Sequence, residues 1–507
     1  MKHLSDIHEV LRTYYGYTSF RKGQEEIIHS LISGRDTLAV MPTGAGKSLC
    51  YQIPALRMEG ITLVISPLIS LMQDQVRALI SIGVRAAYLN SSLTPRQMEL
   101  AIDNARHGVY KIIYVAPERL ETESFLDFAC HRNIPLIAVD EAHCISQWGH
   151  DFRPSYTQIA GFIEKLPKRP VVAAFTATAT PNVKKDIVSQ LRLKNPFSMT
   201  LGFDRENLYF GIYKPLDKTQ FVIDYIRQNM DQSGIVYCLT RKLVDELTVS
   251  LNEAGISALP YHAGMSDSDR TFHQNEFIYD RAKVMVATTA FGMGIDKPDV
   301  RYVLHYNMPA NMEDYYQQAG RAGRDGEPSD CILLYSGRDV RINEFLIRKS
   351  EENENADPEE VQKHIEIQLE KLKQMTFYST SAYTCLRKKI LNYFGEKFLP
   401  PCNNCSYCRH DTENSFKKIR VLPAEKQLFV DEALLGRLEK MRIALANRSG
   451  VPAYSVVTDR TLRELSAYRP RNIGDLAKIY GLGEVKIKRY GQDFLDVINR
   501  YENEADF

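Results

Sequence analysis

No stretch of the chain approaches the roughly 20 consecutive apolar residues that a membrane span needs, there is almost no net charge, and only one of the 507 residues is tryptophan. The first lack excludes a helical membrane protein. Because Met1-Lys2-His3-Leu4-Ser5-Asp6 also carries no apolar leader segment, a cytoplasmic protein with no membrane partner is expected. The formal charge of +1, from 64 Lys and Arg against 63 Asp and Glu, denies the molecule a strong overall field, so any attraction to a phosphate backbone must come from local patches. The absence of a long-period repeat argues against solenoids and propellers. Nine cysteines, an odd count with four crowded between Cys385 and Cys408, fit a reducing compartment with one metal site better than a disulfide framework.

What is present is the balance of a soluble globular protein, 44% hydrophobic and 25% charged, in a chain too long for a single core. Short β-branched runs at 37–41, 61–65, 111–115, 135–139 and 171–175 alternate with amphipathic stretches, and a second such series follows at 234–238, 257–261, 283–287, 301–305 and 331–335. That alternation predicts two tandem α/β domains with parallel sheets. We place them at residues 1–205 and 206–341. A small helical module at 342–410 ends in the cysteine cluster, a polar linker occupies 411–426, and short helices fill 427–507.

The run 37–41 leads into Pro42-Thr43-Gly44-Ala45-Gly46-Lys47-Ser48 and then an apolar helical stretch, the strand, loop and helix context of a phosphate loop. Backbone N–H groups of Thr43, Gly44, Ala45 and Gly46 would close round the β-phosphate of a nucleotide, Lys47 would reach the β- and γ-phosphates, and the Ser48 hydroxyl would bind Mg²⁺. Met41 stands where the full motif has its first glycine. Asp140-Glu141-Ala142-His143 follows the run 135–139 and so puts two carboxylates at a sheet's carboxyl edge, where ligands of α/β proteins bind. Asp140 is expected to hold Mg²⁺ through water, and Glu141 to polarise the attacking water.

Gln317-Gln318-Ala319-Gly320-Arg321-Ala322-Gly323-Arg324 comes from the second α/β domain. Arg321 and Arg324, three apart, can share a face towards a phosphate, and an arginine that stabilises the transferring phosphoryl group accelerates hydrolysis by roughly a thousandfold or more. Catalytic groups divided between two domains make hydrolysis report on domain closure. That is the logic of a motor.

After Cys385 and sixteen intervening residues comes Cys402-x-x-Cys405-x-x-Cys408, four thiolates suited to a tetrahedral Zn²⁺ site. Cysteines at this spacing also suit an iron–sulfur cluster. Directly after the acidic pair stands Cys144-Ile145-Ser146-Gln147-Trp148-Gly149-His150-Asp151-Phe152-Arg153-Pro154, which holds the only tryptophan. Stacking of a base on Trp148 or Phe152 is worth about 1–3 kcal/mol, and Arg153 could hold a phosphate.

Taken in order, these motifs resemble those of superfamily 2 helicases, and the likeness to the RecQ family is close over residues 1 to about 410. Tyr15-Gly16-Tyr17-x-x-Phe20-Arg21-x-x-Gln24 is similar to that family's adenine-recognition segment, which implies nucleotide contacts for Tyr17, Arg21 and Gln24, with Gln24 on the base edge. Ser66 to Met72, Ala116 to Leu120, Phe175-Thr176-Ala177-Thr178-Ala179 and Val286 to Pro298 look like its DNA-contacting and coupling motifs, implying such roles for Thr176 and Thr178. The segment 144–154 resembles the aromatic-rich loop of the family, which implies that Trp148, His150, Phe152 and Arg153 couple single-strand binding to hydrolysis. The likeness of 385–396 to the family's zinc-binding segment implies zinc for the four cysteines.

The resemblance further implies two RecA-like domains, Gln317 as a catalytic residue beside the arginines, ATP with Mg²⁺, and 3′ to 5′ unwinding of DNA in recombination and repair. Single-stranded and tailed or branched duplex DNA become the expected partners, with single-strand-binding protein or recombination factors beside them, and the protein is expected to be monomeric. Residues 427–500 resemble the helicase-and-RNase-D C-terminal module. Many family members carry a winged helix after the zinc segment, for which this chain leaves no room, so a translocase that unwinds poorly alone is one rival reading. An RNA helicase and a DNA-binding clamp without turnover are the others.

Overall fold

The computed structural model describes residues 6–42, 44–149, 151–292, 297–350, 358–380, 384–411 and 430–505. Thr43, His150, residues 293–296 of the second-domain motif and nearly all of the linker expected at 411–426 lie outside the described residues. No described helix is long and apolar enough to cross a membrane.

Seven strands build the first sheet: β1 Thr37–Val40, β2 Thr62–Ile65, β3 Ala86–Leu89, β4 Ile112–Val115, β5 Leu136–Val139, β6 Val171–Thr176 and β7 Phe197–Thr200. Six build the second: β8 Leu208–Tyr213, β9 Ser233–Tyr237, β10 Ala258–Tyr261, β11 Val284–Ala287, β12 Val300–His305 and β13 Ser329–Leu334. Every strand pair in both sheets is parallel. The central strands are Val, Ile, Leu and Ala runs buried on both faces, as parallel sheets covered by crossover helices require.

The orders are β3-β4-β2-β5-β6-β1-β7 and β10-β11-β9-β12-β13-β8. Counted from its own first strand, the second sheet repeats the order of the first and stops one strand short. Where β7 pairs with β1, the edge of β8 instead meets the cysteine module: Phe210 forms a parallel bridge with Cys405, and Asn404 Nδ2 donates to the carbonyls of Glu206 and Leu208 at 2.9 and 3.0 Å. The zinc segment thus occupies the place of a seventh strand and covers an edge that would otherwise expose unpaired backbone.

One hydrophobic core runs from Ile137 in the first sheet through Phe203, Phe210 and Tyr316 to Leu386 and Phe394 of the cysteine module. Phe203 and Phe394 stack there with centroids 4.4 Å apart. The C-terminal helices, from Glu432–Ser449 to Gln492–Ala505, close round a separate core that includes Leu438, Leu462 and Phe494.

Candidate active site at the domain cleft

In a parallel sheet all strands end on one edge, so the loops after β1, β5 and β6 converge. The loop after β1 enters the helix Lys47–Arg57 through Gly44 and Gly46, at φ 83° and 81°. A side chain at Gly46 would lie 2.5 Å from Gln24 Nε2, because Gln24, 1% exposed, is wired into this loop. Its Nε2 donates to the carbonyls of Ala45 and Gly46 at 3.2 and 3.0 Å, and its Oε1 accepts the Arg21 N–H at 2.9 Å. The Arg21 guanidinium donates to the Gly44 carbonyl. The helix N-terminus has no side-chain cap, which leaves its N–H groups to an anion.

Asp140 continues β5 by donating its N–H to Ile65 O at 2.9 Å, and the chain then turns at Glu141, φ 46°. Burial pushes the Asp140 carboxyl up to about 6, against the pull of Lys47. Lys47 Nζ stands 3.4 Å from Glu141 Oε1, while the buried Glu141 Oε2 lies 3.3 Å from His143 Nδ1. Two desolvated carboxylates sharing one ammonium fit a site that gains a divalent cation and a water when a nucleotide binds.

Behind the acidic pair, Thr176 Oγ1 lies 2.9 Å from His143 Nδ1 and 3.1 Å from Thr178 O, which links the histidine to the loop after β6. The side chains of Thr176 and Thr178 are buried.

The second domain reaches the same place. A Cβ built on Gly44 would sit 3.4 Å from both Arg324 Cα and Arg205 Nη1, so the arginine segment touches the phosphate loop. Arg205 holds that segment by donating to the carbonyls of Ala322 and Gly323 at 3.0 and 2.7 Å. Arg321 is buried, and its pKa is drawn down first by desolvation; Tyr237, Arg324 and Glu141 lie within electrostatic reach. Arg21, Arg205, Arg321 and Arg324 therefore gather positive charge around the loop, a concentration that suits a polyphosphate. Gln317 is half-buried on the helix Met312–Ala319, and its neighbour Gln318 is bound to His305 at 3.0 Å.

Trp148 keeps 40% of its surface exposed, and Phe152 is half-buried. Arg153 is engaged within the protein, donating to Asp151 Oδ2 at 3.0 Å and to Pro67 O at 3.1 Å, which ties the tryptophan loop to the segment after β2. The sulfurs of Cys385, Cys402, Cys405 and Cys408 lie within 4.8 Å of one another. Bonds of about 2.3 Å to a tetrahedral zinc would set them about 3.8 Å apart, so the four fit one Zn²⁺ with no position left for water.

Sequence reasoning missed Arg205, which lies in no motif. It also missed the seating of the C-terminal helices, where Tyr480 packs on Tyr17 with centroids 5.2 Å apart and Gly483 meets Gly16 backbone to backbone. The same helices touch the second domain through Arg463 to Glu327 and through Tyr279 Oη donating to Gly450 O at 3.2 Å. No local pattern signals contacts at such sequence separation.

Residues 21–186 match the DEAD/DEAH box helicase family, 217–326 the helicase conserved C-terminal domain, 337–409 the RecQ zinc-binding family and 431–498 the HRDC domain. The chain is 38% identical to the ATP-dependent DNA helicase RecQ of Bacillus subtilis (strain 168), covering 98% of this chain and 99% of that one. With its counterpart from Haemophilus influenzae the identity is 35%, over 97% and 96%. Among solved structures, the helicase MrfA bound to DNA shares the fold at TM-score 0.56 and 18% identity, over 66% of this chain and 52% of that one. Motif order, cleft geometry, a four-thiolate site and near end-to-end similarity converge: the chain belongs to the RecQ family of ATP-dependent DNA helicases.

Proposed function

We propose that this helicase moves 3′ to 5′ along a single strand by opening and closing the cleft between residues 1–205 and 206–341. The observation that carries the reading is the contact between Gly44 of the phosphate loop and Arg324 of the second domain, which supports one hydrolytic site shared between the two sheets. Zinc in the 342–410 module is structural, and 427–507 forms the HRDC-like domain.

ATP would be held through its phosphates by the N–H groups of residues 43–46 and by Lys47, with Tyr17, Arg21 and Gln24 on the adenine side. Ser48 and Asp140 would hold Mg²⁺, which neutralises charge on the β- and γ-oxygens. A γ-phosphate competes with Glu141 for the Lys47 ammonium, now 3.4 Å away, and so frees the carboxylate to orient the attacking water. Arg321, Arg324 and Gln317 stabilise the phosphoryl group as it transfers. Release of phosphate removes the anion that draws the arginines in, and the cleft relaxes.

Each step must offset about 1.4 kcal/mol of stacking per base pair opened. The exposed Trp148 supports a loop, 144–154, that senses bases through Trp148, His150, Phe152 and Arg153, with Thr176 and Thr178 transmitting the signal. The protein would act as a cytoplasmic monomer on single-stranded and on tailed or branched duplex DNA during recombination and repair, with single-strand-binding protein or recombination factors as partners. Unwinding of 3′-tailed, 5′-tailed and blunt duplexes, with Lys47→Ala as control, tests the reading. Selective opening of the 3′-tailed duplex is expected, and ATP hydrolysis without any duplex opening would replace it with the translocase.

A further inference from the structure

The long helix of the zinc module, Pro358–Thr380, places one ammonium where three parts of the molecule meet. Lys371 Nζ donates to the carbonyl of Trp148 at 2.9 Å and to that of Gly149 at 3.3 Å. It also lies 3.3 Å from Glu313 Oε1. Two N–H groups are thus spent on the loop while the charge is paired with Glu313, and the side chains of Lys371 and Glu313 are 12% and 4% exposed. Glu313 stands in the first turn of the helix Met312–Ala319, which runs directly into Arg321 and Arg324.

Only a cation reconciles this geometry with its burial. Glu313 would otherwise be a carboxylate buried without a counter-ion, which is strongly unfavourable, and an ammonium carries the rotatable donors that two successive carbonyls need. The backbone of the tryptophan loop is thereby anchored while its indole stays accessible, with Lys363 Nζ 5.7 Å from the ring centroid. A shift of the loop backbone must either carry Lys371 along or give it up to Glu313, and both outcomes alter the footing of the arginine helix.

We infer that Lys371 is a positioning residue for DNA-stimulated hydrolysis: it reports the state of the tryptophan loop to the helix that carries Arg321 and Arg324. The inference rests on the reading of that loop as the base sensor. It assigns the zinc module a part in coupling beyond holding its own fold, because the link between the first domain's loop and the second domain's helix passes through a side chain that the module supplies.

The test is steady-state ATP hydrolysis by the full chain, with and without single-stranded DNA, for Lys371→Met, Lys371→Arg, Glu313→Gln, the double variant K371M/E313Q and Trp148→Ala. Lys371→Met is expected to lower kcat at saturating DNA about tenfold, with the DNA-free rate and the KM for ATP within about twofold of the parent. Lys371→Arg should recover part of the loss. Glu313→Gln should match Lys371→Met, and the double variant should be no worse than either, as members of one link behave.

Full DNA stimulation in Lys371→Met overturns the inference. So does an equal loss with and without DNA, which marks a merely structural lysine. If Lys371→Met binds less zinc or melts early, Glu313→Gln and Lys371→Arg decide by the same criteria. Trp148→Ala separates the two levels: full stimulation there removes the sensor reading itself, whereas loss there with full stimulation in Lys371→Met removes only the relay.

Discussion

The two sheets share one strand order, yet only the first carries a phosphate-loop sequence, and the difference lies in the turn after each first strand. In both, the following helix begins with a lysine, Lys47 after β1 and Lys218 after β8. The first turn is glycine-rich and leaves the helix N-terminus uncapped. The second ends in Asp217, whose carboxylate accepts the N–H of Gln220 at 3.0 Å and so supplies the anion from within the chain. Lys47 stands 3.4 Å from the Glu141 carboxylate at the end of β5. Lys218 is instead tied to Asp339 and to the Tyr306 carbonyl, at 2.9 and 2.7 Å. Shared topology sets where a site can form; the turn decides whether one does.

Exchanging the fates of the two lysines is the strongest way to break that comparison. Lys47→Ala should reduce ATP hydrolysis by about a thousandfold or more, with a melting curve of the same preparation confirming that the protein is folded. Arg324→Ala should lower kcat by roughly a thousandfold while ATP binding, followed by a fluorescent nucleotide, stays near the parental level; equal weakening of binding would place this arginine in ground-state recognition.

Lys218→Ala should do the opposite of Lys47→Ala. It leaves Asp339 buried with only the side chain of Asn307 and the N–H of Met308 as donors, so denaturant unfolding should show a loss of about 3–5 kcal/mol. Hydrolysis by the folded fraction should survive. The smallest effect concerns the edges of the sheets. Asn404→Ala removes two donors from the margin of β8 and should cost about 1–3 kcal/mol in the same assay, whereas an unchanged midpoint would mean that the cysteine segment merely lies beside the strand.

Most of the cleft was legible because its chemistry is local. A phosphate loop, an acidic pair and an arginine segment each need a few residues at fixed spacing, and the structure brings Gly44, Glu141, Lys47, Arg321 and Arg324 together from 280 residues of chain. The strands that escaped notice have weak patterns for physical reasons. β3 is Ala-Ala-Tyr-Leu, poor in β-branched residues, and β7 is an edge strand with no fully buried position. β8 holds a glycine and follows directly on the domain boundary. Arg205 and Lys371 work through backbone carbonyls 118 and 223 residues away, and a carbonyl leaves no mark on the amino-acid alphabet.

The meeting of Gly16 with Gly483 also bears on how the molecule is made. Domains form largely in the order in which they leave the ribosome, and Gly483 follows both sheets in the chain. A nascent helicase thus has its phosphate loop, acidic pair and arginines folded before Tyr480 can reach Tyr17. Tyr17 therefore waits for its aromatic neighbour until both sheets have been made.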